Sequence, residues 1–241
     1  MDRLQLDKNA KLTGRVYFKD EVMWLGLSGT GASFTFDGTK LVLKLKGDNI
    51  AVGDNPIDYA RIAVYVDGKR VVDEMINCAE KEVTVIDRTE NARSVVEIIK
   101  LSESPMSAVG IEAFAEGSAE ALPEKPLKIE FIGDSITCGY GVDDEDENHQ
   151  FTTATEDVTK AYAYKTAKAL DAEYSMFSAS GYGIISGYTE GDEPISEQTI
   201  PQFYCSYGFS RGNFAGTAPQ DIPWDFSKYI PQIIVQKKRS R

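Results

Sequence analysis

Ile129-Glu130-Phe131-Ile132-Gly133-Asp134-Ser135-Ile136-Thr137 decides how the second half of this chain folds. The apolar run reads as a buried strand and Gly133 permits a sharp turn after it. Ser135 then stands at the carboxyl edge of a parallel sheet, where open α/β folds gather their chemistry. A serine delivered in this way is a candidate nucleophile. A Gly-Asp-Ser turn after a strand also occurs in loops with no chemistry, and the tripeptide by itself does not separate the two readings.

Downstream of this turn the pattern stays α/β. An acidic loop, Asp143-Asp144-Glu145-Asp146-Glu147, leads to a helical segment expected around residues 156 to 170. Ala163, Tyr164, Ala167 and Leu170 would share its buried face, and Glu156 and Asp157 would sit where the helix dipole favours anions. A second strand, Tyr174 to Ser178, runs into Ala179-Ser180-Gly181-Tyr182-Gly183, and Gln232-Ile233-Ile234-Val235 is a third. Strand, helix, strand, strand is the opening of a doubly wound sheet.

Upstream, the rhythm is that of β-structure. Arg15–Phe18, Ala32–Phe36, Leu41–Leu45, Ala60–Val66, Glu82–Ile86 and Val95–Ile99 are short runs rich in β-branched and aromatic residues. Asp67-Gly68 supplies the positive φ values of a tight hairpin, and Asp37-Gly38 reads as a turn between two strands. These features predict a β-sandwich or jelly roll over residues 1–116, followed by a polar, proline-containing linker at 117–126. Residues 127–241 then form the α/β unit.

The chain has 241 residues, 42% hydrophobic and 27% charged, enough for two domains with real cores. Its formal net charge of −12 argues against nucleic acid or an anionic membrane as partner, because binding phosphates takes clustered Lys and Arg. No apolar stretch approaches the roughly 18 residues of a membrane span. The first eight residues lack the apolar core of a signal peptide, so a cytoplasmic location is expected for the chain as written. Cys78, Cys138 and Cys205 lack metal-type spacing. Cys138 is read as a packing residue in preference to a reactive thiol. The acidic run lacks the ligand spacing of a known calcium loop and is read as solvated, so no metal and no cofactor is expected.

Taken together, Gly133-Asp134-Ser135-Ile136-Thr137-Cys138-Gly139-Tyr140-Gly141 and Ser180-Gly181-Tyr182-Gly183 resemble the first two sequence blocks of SGNH hydrolases. The β-rich region in front resembles the jelly roll of carbohydrate esterase family 2, through Gly14-Arg15, Trp24-Leu25-Gly26-Leu27-Ser28-Gly29, Phe36-Asp37-Gly38-Thr39 and Val66-Asp67-Gly68 in the family's order. The resemblance covers nearly the whole chain. It implies a jelly roll followed by a three-layer α/β hydrolase domain that removes acetyl groups from plant polysaccharide or oligosaccharide, in the manner of acetyl xylan esterases. Ser135 would be the nucleophile and, through its N–H, one oxyanion donor. Gly181 would supply the next donor, and Asp134 would order the turn. Trp224 is a candidate for stacking on sugar, although Trp224 and the aromatic stretch Phe203–Phe209 also read as packing residues.

The chain departs from the family pattern near its end. Family members place a histidine general base close to the C-terminus and an Asn-containing third block after the strand that corresponds to Pro231–Val235. Here the only histidine is His149, read as a solvated loop residue, and Gln236-Lys237-Lys238-Arg239-Ser240-Arg241 stands where the third block belongs. The expectation is therefore a C-terminally incomplete α/β domain with an exposed sheet edge and reduced or absent activity, the alternatives being a non-catalytic carbohydrate-binding protein and a gene remnant. Acetylated carbohydrate is the expected partner, with no obligate protein partner implied. Family members that act on cell-wall polymers are often secreted, which sits uneasily with a start that carries no export signal.

Overall fold

In a computed structural model, residues 1–237 are described; Lys238, Arg239 and Arg241 of the basic tail lie outside them. Five short elements come first: β1 (Asp2–Leu4), α1 (Leu6–Asn9), β2 (Lys11–Thr13), β3 (Val16–Lys19) and β4 (Val22–Leu25). Three long strands follow, β5 (Gly31–Gly47), β8 (Glu80–Lys100) and β9 (Val109–Ala121), with the hairpin β6 (Ala60–Val66) and β7 (Lys69–Ile76) between the first two. All pair antiparallel in the order β3-β4-β9-β5-β8-β6-β7, with β1 added to β9 and β2 to β5.

The long strands are longer than the sequence runs suggested, because the turn expected at Asp37-Gly38 is an irregularity inside a continuous strand. Asp37-Gly38 lies within β5, where the register shifts between Gly38 and Lys40 against both neighbours. A Cβ on Gly38 would meet the Glu116 carbonyl at 2.3 Å, and one on Gly117 would meet that of Asp37 at 2.4 Å. Two glycines thus let the strands approach closely at an irregularity, the use a strand interior makes of that residue. Likewise Glu82–Ile86 and Val95–Ile99 are two parts of β8. Phe34, Phe36, Leu41, Leu43 and Leu45, from both sides of the irregularity, share one core with Ile62, Val64, Val96, Ile98 and Ile111.

The Asp67-Gly68 hairpin forms as expected, with φ of 51° and 77° at its two central residues. Residues 117–121, expected to begin the linker, instead continue β9 and pair with β5, Ala121 standing opposite Phe34. That end of the strand is held by backbone hydrogen bonds while its side chains are mostly exposed, so it carries no apolar signature.

The second unit contains β10 (Lys128–Gly133), α2 (Ser135–Cys138), α3 (Tyr162–Ala169), β11 (Glu173–Ser178), α4 (Ile200–Phe203) and β12 (Ile233–Gln236). Its strands are parallel in the order β11-β10-β12. The helix expected from residue 156 begins only at Tyr162. Glu156 and Asp157 are taken up by tertiary partners: Glu156 accepts from the Glu103 amide, and Asp157 pairs with Arg70 while capping the 3-10 turn Val158–Lys160. Ala163 and Ala167 are buried, whereas Leu170, expected beside them, is 53% exposed where the helix ends.

The two units share a core. Ala63, Ile99 and Leu101 of the first pack with Ile129, Phe131, Ala163, Ala167, Tyr174 and Met176 of the second. Leu101 to Ala108, which joins β8 to β9, is buried throughout. At the other side of the small sheet, β12 pairs with β10 alone among the described strands, and Ile233 and Ile234 are exposed. Among the described residues no helix is long and apolar enough to cross a membrane.

Candidate active site

The site begins with the geometry at the end of β10. A Cβ on Gly133 would lie 2.1 Å from Thr137 Oγ1, so only glycine lets the chain turn this tightly into α2. Asp134 caps that turn of helix, its Oδ1 accepting from the Ile136 amide at 3.1 Å. Gly139, at φ 84°, closes it after four residues. Ser135 is the first of them and is half-buried.

Parallel pairing brings the second loop to the same place. Gly133 is in register with Ser178, so Ala179-Ser180-Gly181 leaves β11 at the level where Ser135 leaves β10. Ser135 and Gly181 line one cavity of about 690 Å³, together with Tyr140, Tyr182, Tyr188 and Lys237. Gly181 has φ 81°, while the nearest atom to an added Cβ would be 3.9 Å away. Glycine is needed there for its backbone conformation, more than for the room it leaves.

Other residues singled out in the sequence lie apart from this cavity. Trp224 faces the Arg15 guanidinium at 5.3 Å from its ring centroid. Arg15 is fully buried, stacks at 4.4 Å on Phe177 and at 4.7 Å on Tyr204, and donates to the carbonyls of Tyr204 and Ser206 at 2.6 Å each. Burial lowers its pKa to about 10 despite Glu130 at 3.6 Å. Phe203 stacks on Phe209 and Tyr207 is buried, so the aromatic stretch packs. His149 does not line the cavity; its imidazole is 64% exposed and its Nδ1 lies 2.8 Å from Asp144. Among the described residues no side chain hydrogen-bonds to Ser135 Oγ. Asp143 pairs with Arg61 and Lys160, which occupies one carboxylate of the acidic run.

Sequence reading missed three contributors. Lys237 reads in the sequence only as part of the segment that stands in place of the third block, yet the pairing of Gln236 with Ile132 carries it into the cavity, where its Nζ lies 3.1 Å from Asp134 Oδ1. Glu103, in a stretch of small polar residues that reads as an ordinary loop, is fully buried and accepts from the Ser180 amide at 2.5 Å. Glu156 lies beside it, its carboxyl pushed well up by burial and by the Glu103 charge. With Cys138, these two place donor atoms within 4.8 Å of one another. The buried Lys100 ammonium supplies positive charge close by, its own pKa lowered by burial and opposed by Glu156, Asp48 and Glu103. The Cys138 thiol is pushed up by burial and by Glu103, which suits a packing residue and not a nucleophile.

Residues 12–126 match the family model described as carbohydrate esterase 2 N-terminal. A cellulase/esterase of Acetivibrio thermocellus is 30% identical over 211 residues, which are 86% of this chain and 23% of that protein. An acetylxylan esterase / glucomannan deacetylase of Cellvibrio japonicus is 28% identical over 236 residues, 95% of this chain and 60% of the relative. Among solved structures, a family two carbohydrate esterase from Clostridium thermocellum in complex with cellohexaose matches 94% of this chain and 64% of its own, with TM-score 0.76 and 26% identity. An acetyl xylan esterase from Butyrivibrio proteoclasticus shares the fold, with TM-score 0.84 at 20% identity, over 98% of this chain and 64% of its own. The chain therefore spans less than two thirds of the length of these relatives.

Proposed function

We infer that this chain, which belongs to carbohydrate esterase family 2, carries the serine half of an ester-hydrolysing site for acetylated carbohydrate. The observation behind this reading is the meeting of Ser135 and Gly181 at one cavity, reached from adjacent parallel strands. In the reaction, Ser135 Oγ attacks the acetyl carbonyl and its proton passes to a base. The Ser135 and Gly181 amides donate to the oxygen that becomes negative, the base returns the proton to the sugar oxygen as it leaves, and water, its proton passing through the base to Ser135 Oγ, then releases acetate from the acyl-serine. Asp134 holds the turn that presents the serine. Tyr140, Tyr182 and Tyr188 give the cavity aromatic walls suited to a sugar ring, a role in which they replace Trp224.

In this reading the antiparallel unit is a jelly-roll sandwich, with the crossover narrowed to residues 122–126, and the parallel unit is the first part of a three-layer SGNH-type domain. Among the described residues no side chain hydrogen-bonds to Ser135 Oγ, so imidazole is offered as a base in solution. A fluorophosphonate is added with and without imidazole to the full chain and to Ser135→Ala, and adducts are mapped by mass spectrometry. An imidazole-dependent adduct on Ser135 is expected; labelling no greater than that of Ser135→Ala overturns the assignment.

A further inference from the structure

The Glu103 and Glu156 carboxyl groups lie directly beneath the Ser180-Gly181 turn and take no part in the chemistry above. Glu103 comes from the first unit, on the buried connection between β8 and β9, and Glu156 from the second. Both are fully buried. One oxygen of each is used: Glu103 Oε2 accepts from the Ser180 amide at 2.5 Å, and Glu156 Oε2 accepts from the Glu103 amide at 2.8 Å. The other oxygen of each, Oε1, is buried with no partner. Two ionised carboxylates in contact in a buried site repel one another, and two orphaned acceptors cannot satisfy each other. A single proton removes both problems, because a neutral Glu156 gains an O–H to donate to the remaining oxygen of Glu103.

We propose that Glu103 and Glu156 share one proton and together form the positioning group that holds the Ser180-Gly181 turn, so that the first unit completes the oxyanion site of the second. The shared proton orients the Glu103 carboxyl group, whose Oε2 accepts from the Ser180 amide and so fixes the peptide that precedes Gly181. The groups facing the pair are Lys100, Cys138, Tyr140 and Tyr182, and Asp48 acts on Lys100. Lys100 donates to the carbonyls of Ser102 and Glu103, and Asp48 is held by two backbone amides at 3.0 and 3.1 Å, by Ala108 N–H and by Ser107. That arrangement leaves the glutamate pair as the place for the shared proton. The consequence for catalysis rests on the reading of Gly181 as an oxyanion donor; the proton and the turn do not.

Three measurements on the full chain test the proposal. Infrared difference spectra of wild type against Glu156→Gln at pH 7 should show a protonated carboxylic acid band lost in the variant; its absence from the wild type overturns the shared proton. The Gln amide can donate to Glu103 as the acid does. Exchange of the Ser180 amide, read by NMR, should therefore stay within about twofold of wild type in Glu156→Gln and accelerate on the order of 10-fold or more in Glu103→Ala. Equal protection in all three proteins overturns the positioning role, and should Glu103→Ala fail to fold, Glu103→Met, which keeps the bulk and offers no oxygen acceptor, replaces it. Imidazole-dependent labelling of Ser135 should fall on the order of 10²-fold in Glu103→Ala, as when one oxyanion donor is removed. Loss of turn protection with unchanged labelling would leave the turn assignment standing and remove Gly181 from the chemistry. Stoichiometric zinc, bound by wild type and lost in Glu156→Gln, would replace the proton with a metal and overturn the proposal.

Discussion

Arg15→Met tests how the two units are joined. The arginine enters from the first unit, its guanidinium lies among Phe177, Tyr204, Trp224 and Phe226, and it donates to two carbonyls of the second unit at 2.6 Å. Methionine keeps most of the apolar stem and none of the donors. The buried Ser206 carbonyl left unpaired costs about 1–3 kcal/mol, and the half-buried Tyr204 carbonyl costs less. Glu130, 3.6 Å from the guanidinium and also accepting from the Tyr204 hydroxyl at 2.5 Å, is left as a buried charge without its cation. Against this, the substitution removes the cost of burying the arginine, the same cost that pulls its pKa down to about 10. The balance for breaking one side of a buried pair is a loss of about 3–5 kcal/mol. Urea unfolding followed by tryptophan fluorescence and by circular dichroism measures it. Arg15→Met/Glu130→Gln removes the stranded charge, so it should lose about 1–2 kcal/mol less than the single variant. A single-variant loss under about 1 kcal/mol, or equal losses in both, would refute the reasoning.

Three further outcomes follow from the geometry. Gly181→Ala, placed at φ 81°, should cost about 1–2 kcal/mol in urea unfolding and abolish imidazole-dependent labelling of Ser135, since the turn must relax toward negative φ. In native protein, Ellman's reagent should react with exposed Cys205, more slowly with half-buried Cys78, and with Cys138 only after unfolding, because burial and Glu103 disfavour its thiolate. The Glu156 carboxyl is raised in the folded state, so the native protein keeps a proton that the unfolded chain releases above its ordinary pKa of about 4.3. Stability should therefore fall as pH rises from about 4.3 toward the folded-state value, and Glu156→Gln should flatten that slope; parallel stability–pH curves would contradict it.

What could be read from the sequence was local. Strand, glycine turn and serine at residues 129–135 form one continuous signal, and the glycine-rich continuation of the next strand supplied Gly181. Asp37-Gly38 misled because an Asp-Gly pair serves a turn and a strand irregularity equally well, and the difference lies in Gly117, far along the chain. Glu156 and Asp157 resembled a helix start because acidic residues favour one. Their actual partners, Glu103 and Arg70, belong to another unit, and no local pattern announces them. Arg15 and Glu103 were illegible for the same reason: each gains its meaning from groups that meet it only in the fold. Trp224 carried the chemistry of sugar stacking in its side chain, but its neighbour is a guanidinium.

The core shared by the two units has a consequence for synthesis. Ile99 and Leu101 of the first unit lie in a core whose fully buried members end with Met176, 75 positions beyond Leu101. At about 5–20 residues per second, the ribosome leaves that apolar face without its cover for roughly 4–15 s after it emerges. Sheet formation within the first unit takes far less time than this, so during each round of translation a folded antiparallel unit waits with part of its surface open. That interval, more than the finished protein, is when a chaperone or a second nascent chain would find it.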